Sequence, residues 1–237
     1  MKLNFINRAY LALACIVLVA IVVRICRYKS WERYYYFSSI SAPASYPVYV
    51  REAYFITADP NDDSWFDNRD VNDFNTTWGD EYFFPEVRTA MRLPEKLVLK
   101  YASYRDSKFY RDTLDLPREQ IRRAFEQAVK KNTTRSMGTS DQGRRGLYFV
   151  LGIGNGGKVV LWLRGKGFEQ QVLKTVIAAR EPEGDDTYYR KRLPKQEYLD
   201  EVFDRLPDSL RREMARGWEA GASYGDSLSH YTGKDVD

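Results

Sequence analysis

The stretch GLYFVLGIGNGGKVVLWLR, residues 146–164, admits two incompatible readings, and the choice between them decides the fold. Gly152 and Gly157 stand five apart and Lys158 follows, which is the spacing of a phosphate-binding loop. Such a loop needs a Ser or Thr hydroxyl after the lysine to hold magnesium, then a helix whose first amides cradle phosphate. Here Val159 follows the lysine, and Val159–Leu163 is a run of strand formers. The other reading is a β-hairpin, with Leu147–Ile153 and Lys158–Arg164 as its arms and Asn155-Gly156 supplying a turn with positive φ. The hairpin accounts for the glycines and the branched residues together, so nucleotide binding is set aside.

Working outward, Val48–Thr57 is rich in β-branched and aromatic residues and reads as a strand. Leu97–Tyr104 and Lys108–Leu114 form another hairpin around Arg105-Asp106-Ser107, and Val172–Ala179 is a further strand. Pro117 opens a helix in which Ile121, Phe125, Ala128 and Val129 recur at helical spacing. Pro194–Leu206 and Asp208–Trp218 are two more helices, divided by Pro207. The class is therefore α+β: an N-terminal transmembrane helix, then an antiparallel β-sheet domain with helices packed on one face.

The transmembrane reading rests on Ala9–Val23, fifteen residues without a charge. At helical rise they cover about 22 Å, short of a hydrocarbon core of roughly 30 Å. Extension through Ile25 and Cys26, with Arg8 and Arg24 reaching to the interfaces, closes the gap. Ala12-Leu13-Ala14 has small residues at cleavage spacing and Cys15 sits where a lipid could attach, but the apolar run continues past both. An uncleaved anchor is the better reading. Trp31, Tyr34, Tyr35, Tyr36 and Phe37 follow; they read as an interfacial belt or as the start of the soluble core. The chain divides into an anchor at 1–29, an interfacial aromatic segment and linker at 30–45, and a single soluble α+β domain at 46–237. Lys and Arg flank both sides of the span, with a slight excess that favours a cytoplasmic domain.

The formal charge of +4 misleads, because residues 1–29 hold five basic residues and no acid. Removing them leaves 32 basic against 33 acidic residues, a net charge of −1, without the basic footprint of a nucleic-acid binder. Charge is uneven along the rest: −7 over 30–90, +10 over 91–182 and −4 over 183–237. Both cysteines, Cys15 and Cys26, lie in the apolar segment, so the domain has no disulfide of its own.

Asp59, Asn61, Asp63, Trp65, Asp67 and Asp70 match the ligand spacing of a calcium loop. Ser64 stands where that loop needs glycine, and Asp70 where it needs the longer Glu. The segment reads as a solvated acidic loop and as the candidate contact surface for a partner. Asp62, Asp63, Asp67, Asp70 and Asp73 would steer the encounter, with Trp65, Phe66 and Trp78 as anchors. The alternative is that Trp65 and Trp78 pin the loop to the core. No cofactor is expected. The only histidine, His230, lies in a Gly- and Ser-rich tail, and no Gly-x-Ser-x-Gly elbow is present, so a non-enzymatic role is expected, with an envelope assembly factor and then a hydrolase as the weaker alternatives.

Several stretches together resemble an uncharacterised proteobacterial envelope family, the domain of unknown function 2931. They are YPVYVREAYF (46–55), LPEKL (93–97), YRDSKFYR (104–111), LPREQI (116–121), GLYFVLGIG (146–154) and GGKVVLWL (156–163). The likeness runs from about Tyr46 to Tyr231. Its members look like short secreted lipoproteins, often encoded near type VI secretion effectors. That implies an immunity or accessory protein in the periplasm, with a secreted toxin or an envelope protein as its partner. This chain departs in carrying a membrane helix where others carry a lipid-attachment signal.

Overall fold

In a computed structural model, residues 4–62, 64–81, 87, 89–138, 143–229 and 231 are described. The chain divides into two units, Met1–Arg33 and Tyr34–Asp237.

The first unit is helix α1, Phe5–Tyr28. Asn4 caps it, its side chain accepting the N–H of Ile6, and Lys29 ends it in the left-handed region. Its 24 residues make about 36 Å at helical rise, longer than the hydrocarbon core. The charged residues Arg8, Arg24 and Arg27 are inside the helix rather than beyond its ends, which supplies the length that the uncharged run lacks. None of it is buried, and it is long and apolar enough to cross a membrane.

The second unit follows at once. Its strands are β1 (Arg33–Ser41), β2 (Val48–Thr57), β3 (Met91–Arg92), β4 (Pro94–Ser103), β5 (Lys108–Asp115), β6 (Arg135–Ser136), β7 (Arg145–Ile153), β8 (Lys158–Gly165) and β9 (Phe168–Val176). Its helices are α2 (Arg69–Asn72), α3 (Arg118–Lys131), α4 (Lys195–Val202) and α5 (Asp208–Ala215). The α+β class holds and the sheets are mostly antiparallel. Among the described residues there are two of them, however: a six-stranded sheet in the order β3-β1-β7-β8-β9, with β6 also on β7, and a three-stranded sheet β2-β4-β5. The pair β1–β7 is parallel, with Tyr36 beside Leu147 and Ile40 beside Leu151.

The quoted hairpin forms as read, Leu151 facing Leu161 across β7 and β8. Its turn differs by one residue: the positive φ values fall on Gly156 (63°) and Gly157 (80°). Gly157 is the tighter requirement, since a Cβ there would lie 2.1 Å from the Ile177 carbonyl oxygen.

The two sheets share one core. Leu147, Phe149 and Leu151 of β7 meet Leu97, Leu99 and Tyr101 of β4, and α3 adds Ile121, Phe125 and Ala128. The helices do not share a face. While α3 belongs to that common core, α4 covers the other side of the small sheet, where Tyr198, Leu199 and Phe203 pack on Ala102 and Phe109.

Of the two readings of the aromatics in 30–45, β1 follows the second, the start of the soluble core, and the linker is replaced by strand. Tyr36 is in the main core against Phe149 and Phe55, Tyr34 packs on Phe125, and Phe37 on Tyr148. The serines that gave the segment a linker's composition are buried in or beside a strand. A small hydroxyl is accepted there when it is hydrogen-bonded: Ser41 Oγ accepts the N–H of Gly79, and Ser45 Oγ lies 2.6 Å from the Tyr224 hydroxyl.

Candidate functional site

The site begins where β2 ends. Asp59 accepts the N–H of Asn61 and Asp62 N–H bonds the Asp59 carbonyl, so the chain reverses within 59–62. It returns along β2: Phe55 N–H donates to the Ser64 carbonyl and Phe66 N–H to the Ala53 carbonyl, at 3.1 and 3.0 Å. Strand alternation then sends two neighbours opposite ways. Phe66 turns inward onto Phe55, 4.8 Å between centroids, and is 5% exposed. Trp65 turns outward, 61% exposed, and lies over Tyr54 at 4.5 Å.

Next, Asp67 makes a single parallel bridge to Ser39 of β1. On either side of that bridge β1 and the returning chain part, and each gap is a cleft. The larger is about 500 Å³ and is lined by Tyr36, Phe37, Trp65, Phe66 and Met91, among others. The smaller is about 210 Å³ and is polar, with Ser39, Asp67, Asp70, Asn75, Asp80 and Glu81 on its walls. Both include Ser38 and Asp67.

The acids of the smaller cleft are unequal. Asp67 receives Arg69 Nε at 3.0 Å, and that hydrogen bond holds its carboxyl below the ordinary aspartate range. Glu81 accepts from Arg135 and lies 3.5 Å from Arg164. Arg164 is fully buried; it donates to Glu169 at 2.7 Å and to the carbonyls of Gly79 and Ser229. That knot fastens residues 79–81 and the chain near Ser229 to β8. Asp70 and Asp80, by contrast, have no cationic partner among the described residues.

Of the residues expected to meet a partner, Trp65, Phe66, Asp67 and Asp70 are therefore gathered around the clefts. Three go elsewhere. Asp62 is turned to Thr57 Oγ1 and the Arg92 N–H. Asp73 lies 3.5 Å from Arg205. Trp78 is buried between Trp162 and Tyr224, so it pins the segment to the sheet and is not an exposed anchor. Asp63 and His230 lie outside the described residues. Of the calcium spacing, 59–62 forms a turn, 64–66 pairs with the β2 backbone, and Asp63 lies outside the described residues. Among the described residues no three of His, Cys, Asp or Glu come together to hold a metal. Sequence reasoning missed Ser38, Ser39, Asp80 and Glu81. The serines had been read as linker, and the two acids lie just past the end of the aspartate-rich run.

Lys158, the lysine of the phosphate-loop pattern, donates to Ser223 Oγ at 2.5 Å and so holds a C-terminal turn against the hairpin.

These features define a class: an α+β domain of two mostly antiparallel sheets, preceded in the sequence by a helix long and apolar enough to cross a membrane. Within that class, the chain belongs to the protein-of-unknown-function family DUF2931, whose model matches residues 27–227, from the end of the helix through almost the whole domain. No curated protein and no solved structure matches the chain.

Proposed function

We infer that this is a tethered binding protein. A single-pass helix in the inner membrane of a bacterium holds the domain in the periplasm, where it captures a partner protein without turning it over. Following the resemblance set out above, the partner is a secreted effector of type VI secretion, and the role is immunity or an accessory function. The observation that carries the reading is the pair of clefts on either side of the Ser39–Asp67 bridge, apolar beside acidic, with Trp65 exposed on the wall. Large aromatics dominate binding energy when a partner covers them, while neighbouring carboxylates mainly speed the encounter. Assembly of an envelope complex is the second reading, favoured by the tether itself, which would hold a component in place.

Affinity capture of the full chain from membranes, with products of neighbouring genes co-expressed, tests the proposal. Capture of an effector, and survival of cells that express that effector in the periplasm together with this chain, is the expected result. Capture of secretion-apparatus components alone would move assembly ahead. A phosphatase fused after Asp237 should be active; an active green fluorescent protein fusion in its place would put the domain in the cytoplasm.

A further inference from the structure

We propose that the smaller cleft is a receptor for one arginine side chain of the partner, with the Asp70 and Asp80 carboxylates and the Ser39 hydroxyl as its acceptors. This rests on the binding role proposed above and names what the partner must bring.

Three independent features meet here. First, the charge is uncompensated: Asp67 is held by Arg69 and Glu81 by Arg135, but Asp70 and Asp80 have no cation among the described residues. Two carboxylates facing one small cleft favour a cation between them. Second, Ser39 lines the cleft, is 1% exposed, and its Oγ has no hydrogen-bond partner among the described residues. Strand alternation places it on the same face of β1 as Ser41, whose hydroxyl takes the Gly79 N–H. That bond fastens the residue before Asp80 to this face of β1, and Ser39 and Asp80 line the same cleft. A buried hydroxyl left without a partner costs stability, so a donor or acceptor entering the cleft would recover it. Third, the acceptors are spread around about 210 Å³ and do not converge as a metal's ligands would. An ammonium is a point charge with three donors, whereas a guanidinium is a planar fork with five, suited to separated acceptors. Asn75 completes the polar wall. The adjoining larger cleft is lined by Tyr36, Phe37 and Phe66, so the residue beside that arginine should be apolar.

The test uses the full chain in detergent micelles, with N-acetyl-arginine amide as the probe and N-acetyl-lysine amide as its comparison, read by saturation-transfer NMR. Saturable binding of the arginine probe is expected on the order of millimolar, the range open to one side chain. The lysine probe should bind several-fold more weakly. The double variant Asp70→Asn, Asp80→Asn should lose about tenfold or more, and Ser39→Ala about threefold, the range of one hydrogen bond. Ser39→Ala should not lower the melting temperature of the free protein, and should raise it slightly if the unpartnered hydroxyl costs stability, which separates lost binding from lost folding. No saturable arginine binding would overturn the proposal, as would equal binding of the two probes. Binding that survives the double variant, or calcium titrating the same residues in its place, would overturn it too. If the probe fails while an effector still co-purifies, the binding role stands and only its occupant falls. If the probe binds and no protein is captured, the cleft stands and the binding role is what fails.

Discussion

Two acid-bearing regions of the domain are built in opposite ways. On the outer side of the small sheet, Asp186 is almost fully buried and takes Lys100 Nζ at 3.0 Å and Arg111 Nη1 at 3.1 Å. Glu52 and Glu183 sit on the far sides of the same two cations. Around the smaller cleft, Asp70 and Asp80 face a polar cavity with no such compensation among the described residues. The first set of charges is consumed by folding: each acid is placed by a cation from a neighbouring strand. The second adds repulsion and contributes no ion pair to the fold. Charge that the fold does not use is charge available to a partner, and its effect falls on association more than on stability.

The largest effect expected from breaking this contrast is at the wall of the clefts, where inward and outward side chains alternate. Phe66→Ala should cost about 3 kcal/mol, the range for truncating a buried aromatic. Trp65→Ala, removing a ring already in solvent, should cost less than about 1 kcal/mol. Urea unfolding of both variants measures the difference. Equal losses would mean that Trp65 is held by the fold and does not wait for a partner.

Next is the compensated acid. Asp186→Asn removes one member of a partly buried ion cluster and leaves two cations facing each other, at about 2 kcal/mol after allowance for the solvent that reaches Lys100 and Arg111. Asp70→Asn with Asp80→Asn should change stability by no more than about 0.5 kcal/mol, or raise it slightly. A comparable loss at the cleft would erase the distinction.

Acid sharpens it in a third way. Burial alone would raise the Asp186 carboxyl, but the Glu183 N–H, Lys100 and Arg111 outweigh it and hold the group below its ordinary value of 3.8. A depressed carboxyl contributes stability that is fully present above the unfolded value and is lost as pH falls through the folded one. Chemical denaturation below pH 3.8 should therefore show a loss in the parent that is shallower in Asp186→Asn.

The smallest effect is kinetic. If a partner protein is captured, the double cleft variant should slow association about threefold at low salt. The difference should shrink towards nothing at about 1 M salt, where the screening length is only about 3 Å. A salt-independent change would point to lost packing in place of lost steering.

How much of this was legible depends on the distance over which each feature is specified. The hairpin at 146–164 was, because alternation, branched residues and a glycine turn all lie within nineteen consecutive positions. So was α1, whose apolar run needs no neighbour to be recognised, and so were the α+β class and the family, which the motifs in order had already indicated. The acidic loop was legible as a surface, and Trp65, Asp67 and Asp70 did gather there. Trp65 and Trp78 have the same local signature, an aromatic among polar residues, yet one is exposed and the other buried; only contact with Trp162, far along the chain, separates them.

By itself the sequence determined what short-range physics can encode: the helix length, the hairpin, the sign of each segment's charge. Tertiary structure alone decided that Ser38–Ser41 would be a buried strand, since the group that meets the Ser41 hydroxyl, the Gly79 N–H, comes from 38 residues away. It also decided that β1 would lie parallel to β7, more than 100 residues away, and meet Asp67 at one bridge. The clefts exist because those pairings part on either side of that bridge, and no local pattern records where two distant strands will part.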